Sequence, residues 1–177
     1  MHDKSLARWA VPAHELPDHL YFVSHAQSQS FLWCETDPAT VGARHEHPCP
    51  VCNRPLPSSD KHSIQAAQYP FGPHRPQNVG ELYAKMAQHL DWNNRIPTIF
   101  VSAFGDYQNA VDWAKQRDGP VGIIKVNTNN LPAGEFVFRP VDYNPEWPGD
   151  EYLFFGRIPQ GYLEKHWGVK RGGELKD

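Results

Sequence analysis

The order of strand-like and helix-like segments in this chain predicts an α+β fold. Several short runs are rich in β-branched and aromatic residues, which is typical of strands. Two longer segments repeat apolar residues at every third or fourth position, which is typical of amphipathic helices. The strands outnumber the helices, so we expect helices that flank a strand-rich sheet. The 177 residues, with 40% hydrophobic content, predict a single domain over 1–177 that carries one long insertion.

Local signals place the boundaries of these segments. Asn78 and Asp106 are suitable N-caps, because their side-chain oxygens can accept hydrogen bonds from first-turn backbone N–H groups. The nearly continuous apolar run at 121–126 predicts a central strand covered on both faces. The charged, glycine-rich tail from Glu164 is expected to fray. In chain order we expect a short helix within 4–10, a strand at 19–24, a helical turn at 26–33, an insertion at 34–77, a helix at 78–90, a strand at 98–102, a helix at 106–117, and strands at 121–126, 135–138 and 151–159.

The three cysteines of the chain lie close together and predict a structural zinc site. Two of them form the run Cys49-Pro-Val-Cys52, in which both thiolates can face one ion. A tetrahedral zinc ion then needs two more ligands. Cys34 supplies one, and His47 or His45 supplies the other. Such a site has no open coordination position, so we expect it to hold the proline-rich insertion together and not to carry out catalysis.

The cysteine pair also has three other interpretations. A redox dithiol of the glutaredoxin type also reads Cys-Pro-x-Cys, but Pro55 and Pro57 would break the helix that must begin at the pair. Three free thiols in a loop remain an alternative. A disulfide is less expected, because residues 1–4 lead into no apolar secretory segment. This favours a reducing compartment and a cytoplasmic location.

Composition also excludes some partners. No apolar run approaches the roughly 20 residues of a membrane span, so we expect no membrane partner. The net charge of −3 does not favour a broad phosphate-binding face. Neither a Gly-x-Gly-x-x-Gly pattern nor a P-loop occurs, which argues against a Rossmann or P-loop nucleotide enzyme.

Three side chains at strand ends are candidates for catalysis. Glu151 opens the last long strand, where a carboxylate is partly desolvated yet reachable and can act as a base or hold a sugar hydroxyl. The alternative is a solvated strand-end charge. Ser102 ends the strand at 98–102, but no Gly-x-Ser-x-Gly elbow surrounds it, so a hydrolase-type nucleophile is not expected. His25 ends the first strand on the same face as Tyr21. Ser102 and His25 also have ordinary structural interpretations.

Three segments together resemble the ADP-ribosyltransferase-like fold. Residues 98–104, followed by the helix residues 109–114, look like the middle motif of that family. Residues 151–159 look like its late motif, with Gly and Ile-Pro downstream of the glutamate, as in uncharacterised fungal members. Residues 21–24 lie where the early motif should be. The resemblance covers 19–163 apart from the insertion, and it implies a split β-sheet with flanking helices, here carrying a zinc-binding loop.

The family resemblance implies roles for several residues. Glu151 matches the catalytic glutamate, and Ser102 matches the serine of the middle motif. Phe22 departs from the pattern, because the family has Arg or His there to fix bound NAD. His25 could replace that group only if the strand register differs from this alignment. The residues expected to form an aromatic wall against the nicotinamide ring are Tyr21, Phe104 and Tyr107.

Three functional hypotheses follow. The first is a divergent ADP-ribosyltransferase or NAD glycohydrolase that acts at the nicotinamide ribose C1′, with a protein, nucleic acid, small molecule or water as acceptor. The second is a non-catalytic, zinc-stabilised protein- or RNA-binding module on the same fold. The third is a group-transfer enzyme that uses another adenylated or tRNA-borne donor, because one fold hosts many reactions.

Overall fold

The protein has an α+β fold with antiparallel sheets, as the order of its segments predicts. The computed structural model describes residues 4–25, 31–35, 61–65, 75–94, 96–118, 121–129, 131–132, 134–169 and 175–176. Within these ranges, no helix combines the length and the apolar character that crossing a bilayer requires. The helices are α1 (Lys4–Trp9), α2 (Val79–Leu90) and α3 (Tyr107–Lys115). The strands are β1 (His19–His25), β2 (Phe31–Glu35), β3 (Lys61–Gln65), β4 (Phe100–Phe104), β5 (Val121–Asn127), β6 (Val137–Phe138), β7 (Glu151–Phe155), β8 (Arg157–Pro159), β9 (Leu163–Val169) and β10 (Leu175–Lys176).

The strands form two sheets. Seven strands form the larger sheet in the order β10-β9-β5-β1-β4-β7-β6, and the smaller sheet has the order β2-β3-β8. Neighbouring strands run antiparallel throughout the described pairings. β5 lies between β1 and β9 and is buried along most of its length, so the prediction of a central strand at 121–126 is confirmed.

Each face of the larger sheet has its own core. One face packs against the smaller sheet, where Ile64 and Ile158 contact residues such as Phe22 and Phe154. The opposite face packs against the helices in two separate clusters. The cluster under α2 contains Leu82, Met86, Phe100, Leu153 and Phe155. The cluster under α3 contains Val23, Ala110, Val111, Ala114, Val121 and Ile123, with Tyr21, Phe104, Tyr107 and Trp113 packed against it.

Both long helices begin at the predicted caps. The Asn78 side chain accepts a hydrogen bond from the backbone N–H of Glu81 at 2.9 Å, and the Asp106 side chain accepts one from Asn109 at 3.0 Å. These bonds satisfy N–H groups that have no partner inside the first turn. Leu82 and Met86 are fully buried on the inner side of α2 and pack toward the sheet. Val79 and Tyr83, which belong to the same predicted stripe, are exposed, so the stripe is confirmed only in part.

Two local predictions were wrong. A helical turn was expected over 26–33, yet Phe31–Glu35 is a strand that pairs with β3; residues 26–30 lie outside the described ranges. The tail from Glu164 was expected to fray, yet its residues 164–169 belong to β9, which pairs with β5, and residues 175–176 pair with β9. Lys125 on β5 and His19 on β1 lie 3.2 and 3.4 Å from the Glu164 carboxylate, so the partners of this charged residue lie on other strands. Such distant pairing leaves no local signal in the sequence.

The strand predicted at 151–159 is two strands in different sheets. Gly156 separates β7 from β8 and has φ of +79°, a conformation that residues with a Cβ rarely adopt. Its backbone N–H donates to the Ile99 carbonyl at 2.7 Å, which fixes the bend. The chain therefore leaves the larger sheet at Gly156 and enters the smaller one.

A tight contact joins the end of β4 to the residue before β7. The backbone N–H of Gly105 donates to the Asp150 carbonyl at 2.9 Å. The Asp150 carboxylate accepts from the Asp106 backbone N–H at 3.1 Å and from the Asn109 side chain at 2.8 Å. Together these bonds fix the position of Glu151, the first residue of β7, relative to the end of β4.

We expect Gly105→Ala to lower the free energy of unfolding by about 1–3 kcal/mol, because a Cβ at this position would overpack the contact. That atom would lie 2.6 Å from Asp150 Oδ1 and 2.9 Å from the Tyr152 ring. Gly149→Ala is the matched control, since nothing lies within 4 Å of its added Cβ, and it should change stability by less than about 0.5 kcal/mol. Urea unfolding followed by tryptophan fluorescence measures both. Equal effects of the two substitutions would contradict the described contact.

Candidate active site

Glu151 is the buried carboxylate around which the candidate site is built. It is the first residue of β7 and only 5% exposed, so the alternative of a solvated strand-end charge does not hold. Phe104 lies opposite it on β4, and Tyr21 lies opposite Phe104 on β1. Residues opposite one another in antiparallel strands point to the same face. Tyr21, Phe104 and Glu151 therefore form a row across three strands, on the face that the helices cover.

A continuous chain of hydrogen bonds leads from Glu151 to α2. The Ser102 hydroxyl donates to Glu151 Oε1 at 2.5 Å. Ser102 Oγ lies 2.8 Å from His89 Nε2, and His89 Nδ1 lies 2.5 Å from Thr98 Oγ1. His89 is in the last turn of α2, Thr98 precedes β4, and Ser102 lies within β4.

The directions of these bonds follow from the charge of the carboxylate. An ionised carboxylate only accepts, so Ser102 must donate its single proton to Glu151. Ser102 Oγ is then left to accept from His89, which requires a proton on Nε2. In a neutral imidazole the other nitrogen is an acceptor, so Nδ1 accepts a hydrogen bond from the Thr98 hydroxyl. Every donor in the chain therefore points toward Glu151.

Burial shifts the pKa values of both titratable groups in the chain. It raises the pKa of Glu151 from 4.5 to about 6, and the hydrogen bond from Ser102 opposes that rise. Burial lowers the pKa of His89 from 6.5 to about 4. At pH 7 Glu151 is thus mostly ionised and His89 is neutral, which is the charge state that the bond directions require.

The polar chain lies at the boundary between the two clusters beneath the helices. Phe100, two residues before Ser102 on the same face, belongs to the cluster under α2. Phe104, two residues after it, packs against the cluster under α3. The His89 ring lies edge-on to Phe100, with centroids 5.8 Å apart. Apolar side chains therefore flank Ser102 on both sides, which strengthens its bond to the carboxylate.

Tyr21, Phe104 and Tyr107, the residues expected to form the aromatic wall, all lie on this face. Tyr21 and Phe104 share the row with Glu151, and the Tyr107 ring at the start of α3 is 5.3 Å from the Tyr21 ring. Of the three rings only Phe104 lies directly opposite Glu151. Tyr21 is two strands, about 10 Å, from β7, and Tyr107 contacts Tyr21 and Trp167 on β9.

His25 lies apart from this group. It is four residues beyond Tyr21 on β1, which places it about 13 Å along the strand. Its ring contacts Trp113 on α3, with centroids 5.1 Å apart, and its pKa is lowered by burial and by Arg117. Phe22 is 2% exposed and packs between the two sheets, on the face opposite Glu151. The structure therefore brings neither residue to the carboxylate.

Most of the predicted zinc ligands fall outside the described residues. His47, Cys49 and Cys52 do so, and the described ranges contain no cluster of three metal-binding side chains. Cys34 is in β2, where its backbone is paired with that of His62 in β3.

Sequence reasoning missed His89 and Thr98. His89 lies three residues after Met86 and seven after Leu82, so the helical period places it on the buried side of α2. A histidine on an otherwise apolar stripe was the available signal. Thr98 had none, because its role depends on a ring nine positions earlier in the chain.

The arrangement differs from a serine-hydrolase triad. There the histidine lies between the acid and the serine and removes the serine proton. Here Ser102 lies between the acid and the histidine, so its proton is directed to the carboxylate. This geometry favours a supporting role for Ser102 and leaves Glu151 as the group able to act on a substrate.

No family model matches the sequence, and a search of curated proteins finds no match.

The two shifted groups should give opposite pH dependences of stability. The raised pKa of Glu151 means that its ionisation destabilises the folded state as the pH rises from 4.5 through 6. The lowered pKa of His89 means that its protonation destabilises the folded state as the pH falls from 6.5 toward 4. Between pH 7 and pH 5 the two effects largely cancel in the wild type.

We expect substitutions to separate these effects. From pH 7 to pH 5, Glu151→Gln should lose about 1 kcal/mol of unfolding free energy relative to wild type, because only the histidine effect remains. Over the same pH range, His89→Gln should gain about 1–2 kcal/mol of unfolding free energy relative to wild type. The lower value reflects solvent at the partly exposed His89 ring, which reduces the effect of burial on its pKa. Urea unfolding at pH 5, 6 and 7 measures both. Glu146→Gln and His14→Gln, at exposed positions, serve as controls. If unfolding free energy varied with pH in the same way in all four variants, the shifted pKa values of Glu151 and His89 would be refuted.

Proposed function

We propose that the protein is an NAD-dependent ADP-ribosyltransferase or NAD glycohydrolase in which Glu151 acts on the nicotinamide ribose. The observation that carries this proposal is the buried carboxylate of Glu151, held by Ser102 at 2.5 Å in a row with two aromatic residues. A fixed anion beside flat rings suits a substrate with an aromatic cation attached to a ribose. The likeness of residues 151–159 and 98–104 to the family motifs supports the same assignment.

In the proposed reaction Glu151 accepts a hydrogen bond from the ribose 2′-hydroxyl. The bond between C1′ and the nicotinamide nitrogen breaks, and the nitrogen takes the electron pair and leaves as neutral nicotinamide. Positive charge develops on the ribose, and the nearby carboxylate stabilises it. An acceptor oxygen, nitrogen or sulfur then bonds to C1′ and gives up its proton; with water as acceptor the product is ADP-ribose.

The pKa of Glu151 is compatible with this role. A value of about 6 leaves the carboxylate mostly ionised at pH 7.5. Burial makes the anion more effective, because the surrounding apolar side chains do not screen its charge. Ser102 supplies the hydrogen bond that keeps the anion in place without neutralising it.

The second candidate is a non-catalytic binding module on this fold. The 5% exposure of Glu151 favours it, because a ribose must reach the carboxylate to react. Phe22 favours it too, since it is buried on the face opposite Glu151 and cannot hold NAD beside the carboxylate. In this case the hydrogen-bond chain would fix the position of α2 against the sheet.

We expect Glu151→Gln to lower nicotinamide release from NAD by at least about 100-fold, because the neutral amide cannot stabilise the developing positive charge. Chromatography of nicotinamide after incubation with NAD measures the rate. Glu146→Gln is the matched control, an exposed glutamate five residues earlier in the chain. The wild-type rate should fall below pH 6 as the carboxylate protonates.

Two results would separate the candidates. A folded wild type that releases no nicotinamide at any pH from 5 to 9 would contradict the transferase proposal and favour the binding module. Release that Glu151→Gln leaves unchanged would show that the reaction uses another residue.

A structural zinc ion remains part of this proposal, supported by the spacing of Cys34, Cys49 and Cys52 with His47. We expect mass spectrometry of the purified, reduced protein to find one zinc per chain, because three thiolates and an imidazole complete a tetrahedral site. Cys49→Ser and Cys52→Ser should lose the metal. Comparing His47→Ala with His45→Ala identifies the fourth ligand. Wild-type protein prepared without chelators and free of zinc would contradict the site.

A further inference from the structure

His89 is a partly buried titratable group that the proposed reaction does not use directly. Its two ring nitrogens lie 2.8 Å from Ser102 Oγ and 2.5 Å from Thr98 Oγ1. It contacts Glu151 only through Ser102, whose hydroxyl is 2.5 Å from the carboxylate. These three contacts form one path, so a change at His89 reaches Glu151 through the orientation of a single hydroxyl.

The Ser102 hydroxyl has one proton and two neighbours that could accept it. If His89 carried its proton on Nδ1, Nε2 would be an acceptor and would compete with Glu151 for the Ser102 proton. With the proton on Nε2, the imidazole donates to Ser102 instead, and the hydroxyl can only point to Glu151. The Thr98 hydroxyl completes this state by donating to Nδ1. The histidine tautomer therefore decides whether Glu151 has a competitor for the hydrogen bond that Ser102 donates.

We propose that His89 is a positioning residue whose Nε2–H directs the Ser102 proton to Glu151, with Thr98 holding His89 in that tautomer. The consequence for catalysis rests on the proposed function, but the consequence for the carboxylate does not. Hydrogen bonds in a chain polarise one another, so a serine that accepts from His89 is a stronger donor to the anion. His89 thereby stabilises the ionised form of Glu151.

The charged groups near the chain are the same with and without His89. Asp150 is adjacent to Glu151, and its carboxylate is bound by the Asp106 backbone and the Asn109 side chain. For His89, burial is the only cause of its lowered pKa. For Glu151, burial and the Ser102 bond are the two causes of its shift. A change in the Glu151 titration on replacing His89 therefore reports the hydrogen-bond chain.

The pair His89→Leu and His89→Gln tests the proposal. Leucine fills the space without a donor, whereas the glutamine amide can donate to Ser102 and accept from Thr98. Carboxyl-carbon NMR of glutamate-labelled protein follows the titration, with Glu151→Gln assigning the signal. We expect the acid dissociation constant of Glu151 to fall at least about threefold in His89→Leu and to return to the wild-type value in His89→Gln. His14→Leu, at an exposed histidine, should change nothing.

Ring-nitrogen NMR of histidine-labelled wild type tests the tautomer directly. At pH 7.5 we expect a protonated Nε2 and an unprotonated Nδ1 at His89. The opposite tautomer, or a folded His89→Leu whose Glu151 titrates as in the wild type, would overturn the proposal and leave His89 as a packing residue. If the wild type releases nicotinamide, the pH below which the rate of release falls should be higher in His89→Leu. In His89→Gln that pH should return to the wild-type value. If release is absent in the wild type, the proposed function fails while both NMR results still stand.

Discussion

The hydrogen bond from Ser102 to Glu151 is the interaction on which the site depends. A carboxylate that is 5% exposed loses most of its hydration, and burial raises its pKa accordingly. Ser102 opposes that effect with one short bond from the neighbouring strand. A displacement of about 1 Å between β4 and β7 would take the two oxygens beyond hydrogen-bond distance and leave the anion uncompensated. The bond therefore requires that the two strands, and the contacts that align them, stay rigid.

The register of β4 against β7 supplies that rigidity. Glu151 lies opposite Phe104, and Ser102 reaches it diagonally from two residues earlier on the same face. A slip of one residue would turn Glu151 to the other face of the sheet, into the apolar core beneath Ile64 and Ile158. The contact between Gly105 and Asp150 prevents that slip, because its backbone bond fits only one register. A glycine and an aspartate outside the polar chain thus determine where the carboxylate points.

The sequence predicted the features that depend on near neighbours. The helices at 79–90 and 107–115 were predicted because their apolar period and their caps are local. Glu151 and Ser102 were selected as candidates because strand ends are visible in the pattern. The strand β9 was not predicted, since the partners of its charged residues are on β1 and β5. His89 was missed because its partners Ser102 and Thr98 become neighbours only when α2 folds back against β4. The predicted zinc ligands other than Cys34 lie outside the described residues, so that prediction stays a prediction.

The energetic cost of Glu151 is itself an argument for a function at this site. A pKa shift from 4.5 to about 6 corresponds to about 2 kcal/mol of folding stability lost at neutral pH. A neutral glutamine would fill the same space and could still accept the Ser102 proton. Packing alone therefore gives no reason for an acid here, whereas a reaction that develops positive charge beside it does. Groups whose pKa values are shifted by burial concentrate at sites where that shift is used. On the proposed function, Phe104, directly opposite Glu151 on β4, would be the ring closest to such a substrate.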